Sequence, residues 1–161
     1  MTHYPGLDDV VVFYPESDKV ASLSHPLLWD FTKHCLSVKP RGDFAPADAF
    51  EMATLQRWLE HIIIVDYLPE TQDFHYRRFG VGIEKVCGYS MEGRIVRDFG
   101  SEVGRFYQRQ YERCISEKIM IHSEHPSVHS RTECKWRRVL CPIRDGEKIS
   151  VIIFNMAFPR D

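Results

Sequence analysis

The stretch FHYRRFGVGIEKVCGYSMEGRIVRDFG, residues 74–100, decides the fold. Its first six residues, Phe74–Phe79, read as a strand in which Phe74, Tyr76 and Arg78 alternate with His75, Arg77 and Phe79. Glycines then crowd together at Gly80, Gly82, Gly88, Gly93 and Gly100, with Gly104 just beyond. Between them, Ile83–Cys87 and Gly93–Phe99 have room only for short helical pieces, and Gly88 stands where a helix would end in a left-handed residue. A chain that reverses this often needs residues that reach positive φ without a Cβ clash.

Downstream, Glu102–Lys118 is strongly helical, with Val103, Phe106, Tyr107, Tyr111, Cys114 and Ile115 along one side. Three strand-like stretches follow at Lys118–Glu124, Glu133–Arg144 and Lys148–Phe158, and Asp145-Gly146 is a hairpin signal between the last two. Upstream, the β-branched run Ile62–Val65 favours a strand, and Leu68–Asp73 is a polar connector to Phe74. Ser24-His25-Pro26 opens a helix, with Ser24 as the cap, Pro26 in the first turn and Leu27, Leu28, Phe31 and Cys35 as an apolar stripe. Lys39–Asp43 stops it, and Pro46 starts a second helical stretch with Met52, Leu55 and Leu59 on one face. Strands on both sides of a helical segment, the late ones joined by tight turns, imply an antiparallel α+β fold. The expected division is an arm over 1–24, a helical extension over 25–60 and a core over 61–158.

Composition narrows the function. Of 161 residues, 43% are hydrophobic and 27% charged, the balance of a single soluble domain. A formal net charge of −2 argues against nucleic acid as a partner, because phosphate neutralisation needs a basic surface. The longest apolar runs, Val10–Tyr14, Ile62–Val65 and Val151–Phe154, fall far short of the roughly 20 residues of a membrane helix, so no membrane insertion is expected. The acidic N-terminus shows no secretory pattern. Five cysteines without a C-x-x-C pair suit a reduced, cytoplasmic compartment with unpaired thiols.

The order of elements resembles a PAS domain, most sharply between Asp66 and Phe99. Phe74–Gly80 looks like the second PAS strand, and Gly88-Tyr89-Ser90-Met91-Glu92-Gly93-Arg94 like the helical crossover. The chain is similar in particular to a bacterial family of small stand-alone PAS proteins. In that family a Trp-containing helix and an R-x-D-x-x-P turn precede the core; Trp29 and Arg41-Gly42-Asp43-Phe44-Ala45-Pro46 occupy those places. The resemblance implies a five-stranded antiparallel sheet with helices on one face, used as a sensory or protein-interaction module without catalytic residues. It implies bacterial signal transduction through an unidentified protein partner, with no effector domain attached. No cofactor is expected: the Asn-Cys-Arg-Phe-type flavin motif is missing from Ile83–Gly88, and residues 102–118 lack the histidine of one haem-binding group.

Six residues are candidates for a pocket that would take a small organic ligand: Tyr76, Cys87, Phe106, Tyr107, Tyr111 and Trp136. The competing reading is that they simply fill the core. The last strand is apolar on both faces, so Ile152, Phe154, Met156 and Phe158 need a cover. Helix residues Leu27, Leu28 and Phe31 can supply part of it, and a second copy of the chain the rest, which makes a homodimer the expectation.

Other clusters are weighed against ordinary structural roles. His122, His125 and His129 beside Glu124 have zinc-binding chemistry, but His122 and His125 fall on opposite faces of a strand, and no metal site is assigned. Arg105, Arg109 and Arg113 form a helical ridge with Glu102, Glu112 and Glu117 interleaved, which reads as a solvated, paired face. One Arg from each of Arg77-Arg78 and Arg137-Arg138 would face the pocket and could hold an anion, unless it snorkels to the rim. Cys87 reads as buried and inert rather than reactive. A rival reading is a small cone-shaped α+β enzyme using His61 with Asp66, or His75 with Asp73, as an acid/base pair.

Overall fold

A computed structural model describes residues 11–13, 25–127 and 133–159. Its elements are β1 (Val11–Phe13), α1 (Pro26–Val38), β2 (Ala45–Pro46), α2 (Met52–Leu55), β3 (Ile62–Leu68), β4 (Asp73–Phe79), α3 (Val81–Cys87), α4 (Ser101–Glu117), β5 (Ile121–Pro126), β6 (Cys134–Asp145) and β7 (Lys148–Pro159). Strands β3 to β7 form an antiparallel sheet in the order β5-β6-β7-β3-β4. This is a PAS-like α+β fold, with the first two and last three strands of the core meeting at the β3–β7 contact. Two short strands enlarge the expected five. β1 pairs antiparallel with β5, and β2 runs parallel to β6 at Ile143 and Arg144, beyond the reach of β5.

The hairpin between β6 and β7 sets the register of the sheet. Asp145 pairs with Lys148 across a two-residue turn whose first residue, Gly146, has φ 60°. Period-two alternation then sends Trp136, Arg138 and Leu140 of β6, with Val151, Ile153 and Asn155 of β7, to the inner face, beneath α3 and α4. Val139, Cys141, Ile152 and Phe154 go to the outer face, where α1 lies.

Helix α1 buries Leu28, Phe31, Thr32 and Cys35, the i, i+3, i+4, i+7 pattern of one apolar stripe. Phe31 meets Trp58 and Phe154 with ring centroids 5.3 and 5.5 Å apart. The cap differs from expectation. His25, not Ser24, is the N-cap, its Nδ1 accepting from the Leu27 N–H at 3.2 Å, and Ser24 lies outside the described residues. The second helical stretch is broken into a 3-10 turn (Ala47–Phe50), α2, and a second 3-10 turn (Gln56–His61). The break separates the expected face: Leu55 is fully buried, Leu59 half-buried and Met52 49% exposed.

β4 departs from strict alternation. Ile64 pairs with Arg78 but Val65 with Tyr76, so Arg77 is an extra residue in a bulge. The bulge resets the period, and Phe74, Tyr76 and Phe79 all reach the inner core. The free edge of β4 is blunted locally: Tyr76 N donates to Arg94 O, and Gly93 N to Tyr76 O, both at 2.8 Å.

Two glycines act for different reasons. Gly88 closes α3 with φ 86°, the left-handed cap its position suggested. Gly80 has an ordinary φ of −57°, but a Cβ there would overlap the Glu60 carbonyl, because α3 starts directly against the chain entering β3.

Candidate functional site

Between the inner face of the sheet, α3, α4 and the connection 88–100 lies a cavity of about 30 Å³. That is room for roughly two waters, so its own side chains fill most of the space. Of the six expected pocket residues, Tyr76, Cys87, Tyr107, Tyr111 and Trp136 line it. Phe106 does not: one residue of helical rotation turns it to His125, 5.0 Å away between ring centroids. Tyr89 and Phe99 are half-exposed and mark the mouth, their rings 6.3 Å apart.

Of the pair Arg137-Arg138, Arg138 is the one that faces the cavity, while sequence reading missed its neighbour Asn155. Arg138 and Asn155 are cross-strand partners on the inner face, and both line it. Arg138 is 1% exposed. Its Nη1 donates to Gln110 Oε1 and its Nη2 to the Tyr111 hydroxyl, each at 2.9 Å. The guanidinium carbon stands 4.7 Å from the Tyr107 ring centre and 5.5 Å from that of Tyr111. Among the described residues no carboxylate comes within ion-pair distance of it. Arg138 Nε and Asn155 Oδ1 are buried without a hydrogen-bond partner.

Removing a guanidinium from water costs several kcal/mol. Two charge-assisted hydrogen bonds of about 1.5–3 kcal/mol each, with ring-face contacts of about 2 kcal/mol, roughly offset that cost. The cation is therefore tolerated, but it keeps an unused donor. A register argument could have found it. Once Asp145-Gly146 is taken as the turn, Arg138 and Asn155 face each other on the apolar side of both strands.

The surrounding groups are neutral. Burial pushes the Tyr76, Tyr89 and Tyr107 hydroxyls well above the usual phenol value, Arg138 counteracting in part at Tyr107. Tyr76 and Tyr111 hydroxyls lie 3.3 Å apart, and the Tyr107 hydroxyl is 3.2 Å from His125 Nε2. Burial, and then Arg138, hold His125 well below the ordinary imidazole value. Burial raises the Cys87 thiol to about 11, opposite to what an activated nucleophile needs.

The remaining candidates do not converge. His122 points outward and His125 inward from β5, His129 lies outside the described residues, and no metal-binding group of side chains occurs among the described residues. Neither acid/base pair forms a hydrogen bond. Asp66 is engaged by Ser150 at 2.6 Å, Arg77 at 3.0 Å and Lys148 at 3.4 Å, while Asp73 faces Arg97 at 3.5 Å. Arg78 is half-buried, and Arg137 turns outward to Glu124 at 3.1 Å and over the Phe158 ring. The ridge residues Arg105, Arg109 and Arg113 are exposed, with Arg113 paired to Glu117 at 2.7 Å. Of the expected dimer residues, Leu28, Phe31, Ile152 and Phe154 are buried inside the chain's own outer core; Leu27, Met156 and Phe158 are half-buried. A dimer contact through Phe154 is thereby corrected, because α1 already covers it.

No protein-family model and no curated protein matches the chain. A solved structure described as "Structure of an RNA-binding Light-Oxygen-Voltage Receptor" is similar at 16% identity and a TM-score of 0.46. The match covers 68% of this chain and 33% of that one, so the chain spans about a third of the length of its structural neighbour. The expectation of no nucleic-acid partner is corrected here: that neighbour is described as RNA-binding, and a net charge of −2 does not exclude such a partner. No helix among the described residues is long and apolar enough to cross a membrane.

Proposed function

We propose that this chain is a non-catalytic sensory module of the PAS type, in which residues 61–158 form the sensing core and 25–60 an extension covering its outer face. The core cavity takes a small molecule, and its occupancy is passed to a protein partner in bacterial signal transduction. The observation that supports this reading is the placement of the cavity. It sits under the packed α4 and opens beside the glycine-bent connection, between two half-exposed rings, Tyr89 and Phe99. A ligand entering there must move Tyr89, Phe99 or Tyr107, and each belongs to a segment that lies over the sheet. Coupling of occupancy to the surface then needs only a small shift of α4 or of the connection.

The test is native mass spectrometry of the purified chain together with hydrogen exchange across 81–117. A retained or added small molecule that slows exchange in α3, the connection or α4 supports the reading. A chain that retains nothing and whose exchange responds to no member of a diverse small-molecule set does not sense through this cavity. Turnover of any such molecule would count against a non-catalytic role.

A further inference from the structure

Arg138 carries more than the fold requires of it. A guanidinium keeps its charge in any protein environment, and a buried charge ordinarily has a partner of opposite sign. Arg138 has an amide oxygen and a phenol instead, and its Nε–H is left over at the wall of the cavity. Directly across the strand pair, Asn155 lines the same cavity with its own unpartnered oxygen. The two orphaned groups are neighbours on one polar rung, framed by aromatic rings. The Nε edge of a guanidinium presents two parallel N–H groups, a geometry that fits the two oxygens of a carboxylate.

We propose that the cavity binds a small organic carboxylate with a flat apolar body, its anion held by the Nε edge of Arg138 and its body against Tyr76, Tyr107 and Trp136. Asn155 makes the second polar contact, its amide free to turn so that either its NH₂ or its oxygen faces the ligand. An inorganic anion would satisfy Arg138 but leave the aromatic walls unused, which is why the organic class is favoured. As shaped, the cavity is smaller than an aromatic ring, and entry displaces the half-exposed Phe99 or Tyr89 from the mouth. This proposal rests on the cavity being a ligand site and adds the charge of the ligand.

The experiment compares acids with their neutral amides on the unmodified chain: acetate, benzoate and phenylacetate against acetamide, benzamide and phenylacetamide. Chloride and inorganic phosphate form separate arms. Calorimetry and thermal melting are the readouts. At least one organic acid is expected to bind ten or more times tighter than its amide. Arg138→Met should lose that tenfold preference, and Arg138→Lys should retain part of it. Should Arg138→Met fail to fold, the acid–amide ratio and Asn155→Ala, expected to weaken the acid severalfold, still decide. Equal binding of acid and amide overturns the anionic ligand but leaves the cavity reading intact. Binding of chloride or phosphate alone overturns the organic class. Binding by none of the probes overturns the carboxylate proposal, with water serving Nε, and if native mass spectrometry also finds nothing retained, the ligand-cavity reading falls with it.

Discussion

The Arg138 guanidinium and the Tyr111 hydroxyl meet at 2.9 Å and tie β6 to α4 through a buried hydrogen bond. The same hydroxyl lies 3.3 Å from that of Tyr76, so one oxygen links three elements of the fold. Tyr111→Phe removes it and leaves a charged donor and a phenol unsatisfied. The expected cost is about 1–3 kcal/mol in urea unfolding, against about 0.5–1.5 kcal/mol for Tyr76→Phe, which spares the Arg138 bond. Equal costs for the two variants would show that the Arg138–Tyr111 bond contributes nothing special.

Phe154 lies fully buried between Phe31 and His61, with ring centroids 5.5 and 5.3 Å away. Phe154→Ala should therefore cost about 3–5 kcal/mol, the range for truncating a core aromatic. Phe158→Ala, at a half-buried site, should cost much less. Denaturant midpoints measured side by side decide whether α1 really seals the outer face.

Gly80→Ala should destabilise by about 1–3 kcal/mol or more, since the added methyl meets the Glu60 backbone rather than a side chain that can swing away. Gly88→Ala acts through φ alone and should cost about 1–2 kcal/mol. Moving the strain to a flexible neighbour is possible at neither position, so both losses should appear in thermal melts without a change in oligomeric state.

Stability should fall in mild acid. Burial lowers His122 from 6.5 to about 4, Glu124 opposing and Arg137 adding to the shift, and His125 moves the same way. The unfolded chain therefore takes up protons first as pH drops. The contribution of each histidine is intact above about 6.5 and is lost as pH falls toward the folded value. For His122 alone this amounts to about 3 kcal/mol by pH 4. Unfolding free energies at pH 7, 6 and 5 should decline, and His122→Gln should flatten the slope. A flat profile in the unmodified chain would mean that both imidazoles are hydrated.

Local rules made much of the architecture legible. The glycine spacing after Phe79, the β-branched run at Ile62, the stripe from Leu28 to Cys35 and the Asp145-Gly146 turn each specify a nearby backbone state. Together they imply an antiparallel sheet with a helix on its outer face. The site was only partly legible, because apolar pattern separates inside from outside but does not say which inward residues share a void. Phe106 and Tyr107 are adjacent on α4 and both meet His125, yet helical rotation brings only Tyr107 to the cavity wall.

By itself the sequence determined the order of elements, the capping glycine at 88 and the two-faced last strand, since each depends on residues close in the chain. Tertiary structure alone decided that Arg77 bulges, that Phe154 is sealed beneath α1, and that Arg138 meets Gln110 and Tyr111 and keeps a donor to spare. The reason is physical. Such outcomes depend on which distant groups compete for the same buried volume and the same hydrogen-bonding atoms, and no local pattern fixes that competition.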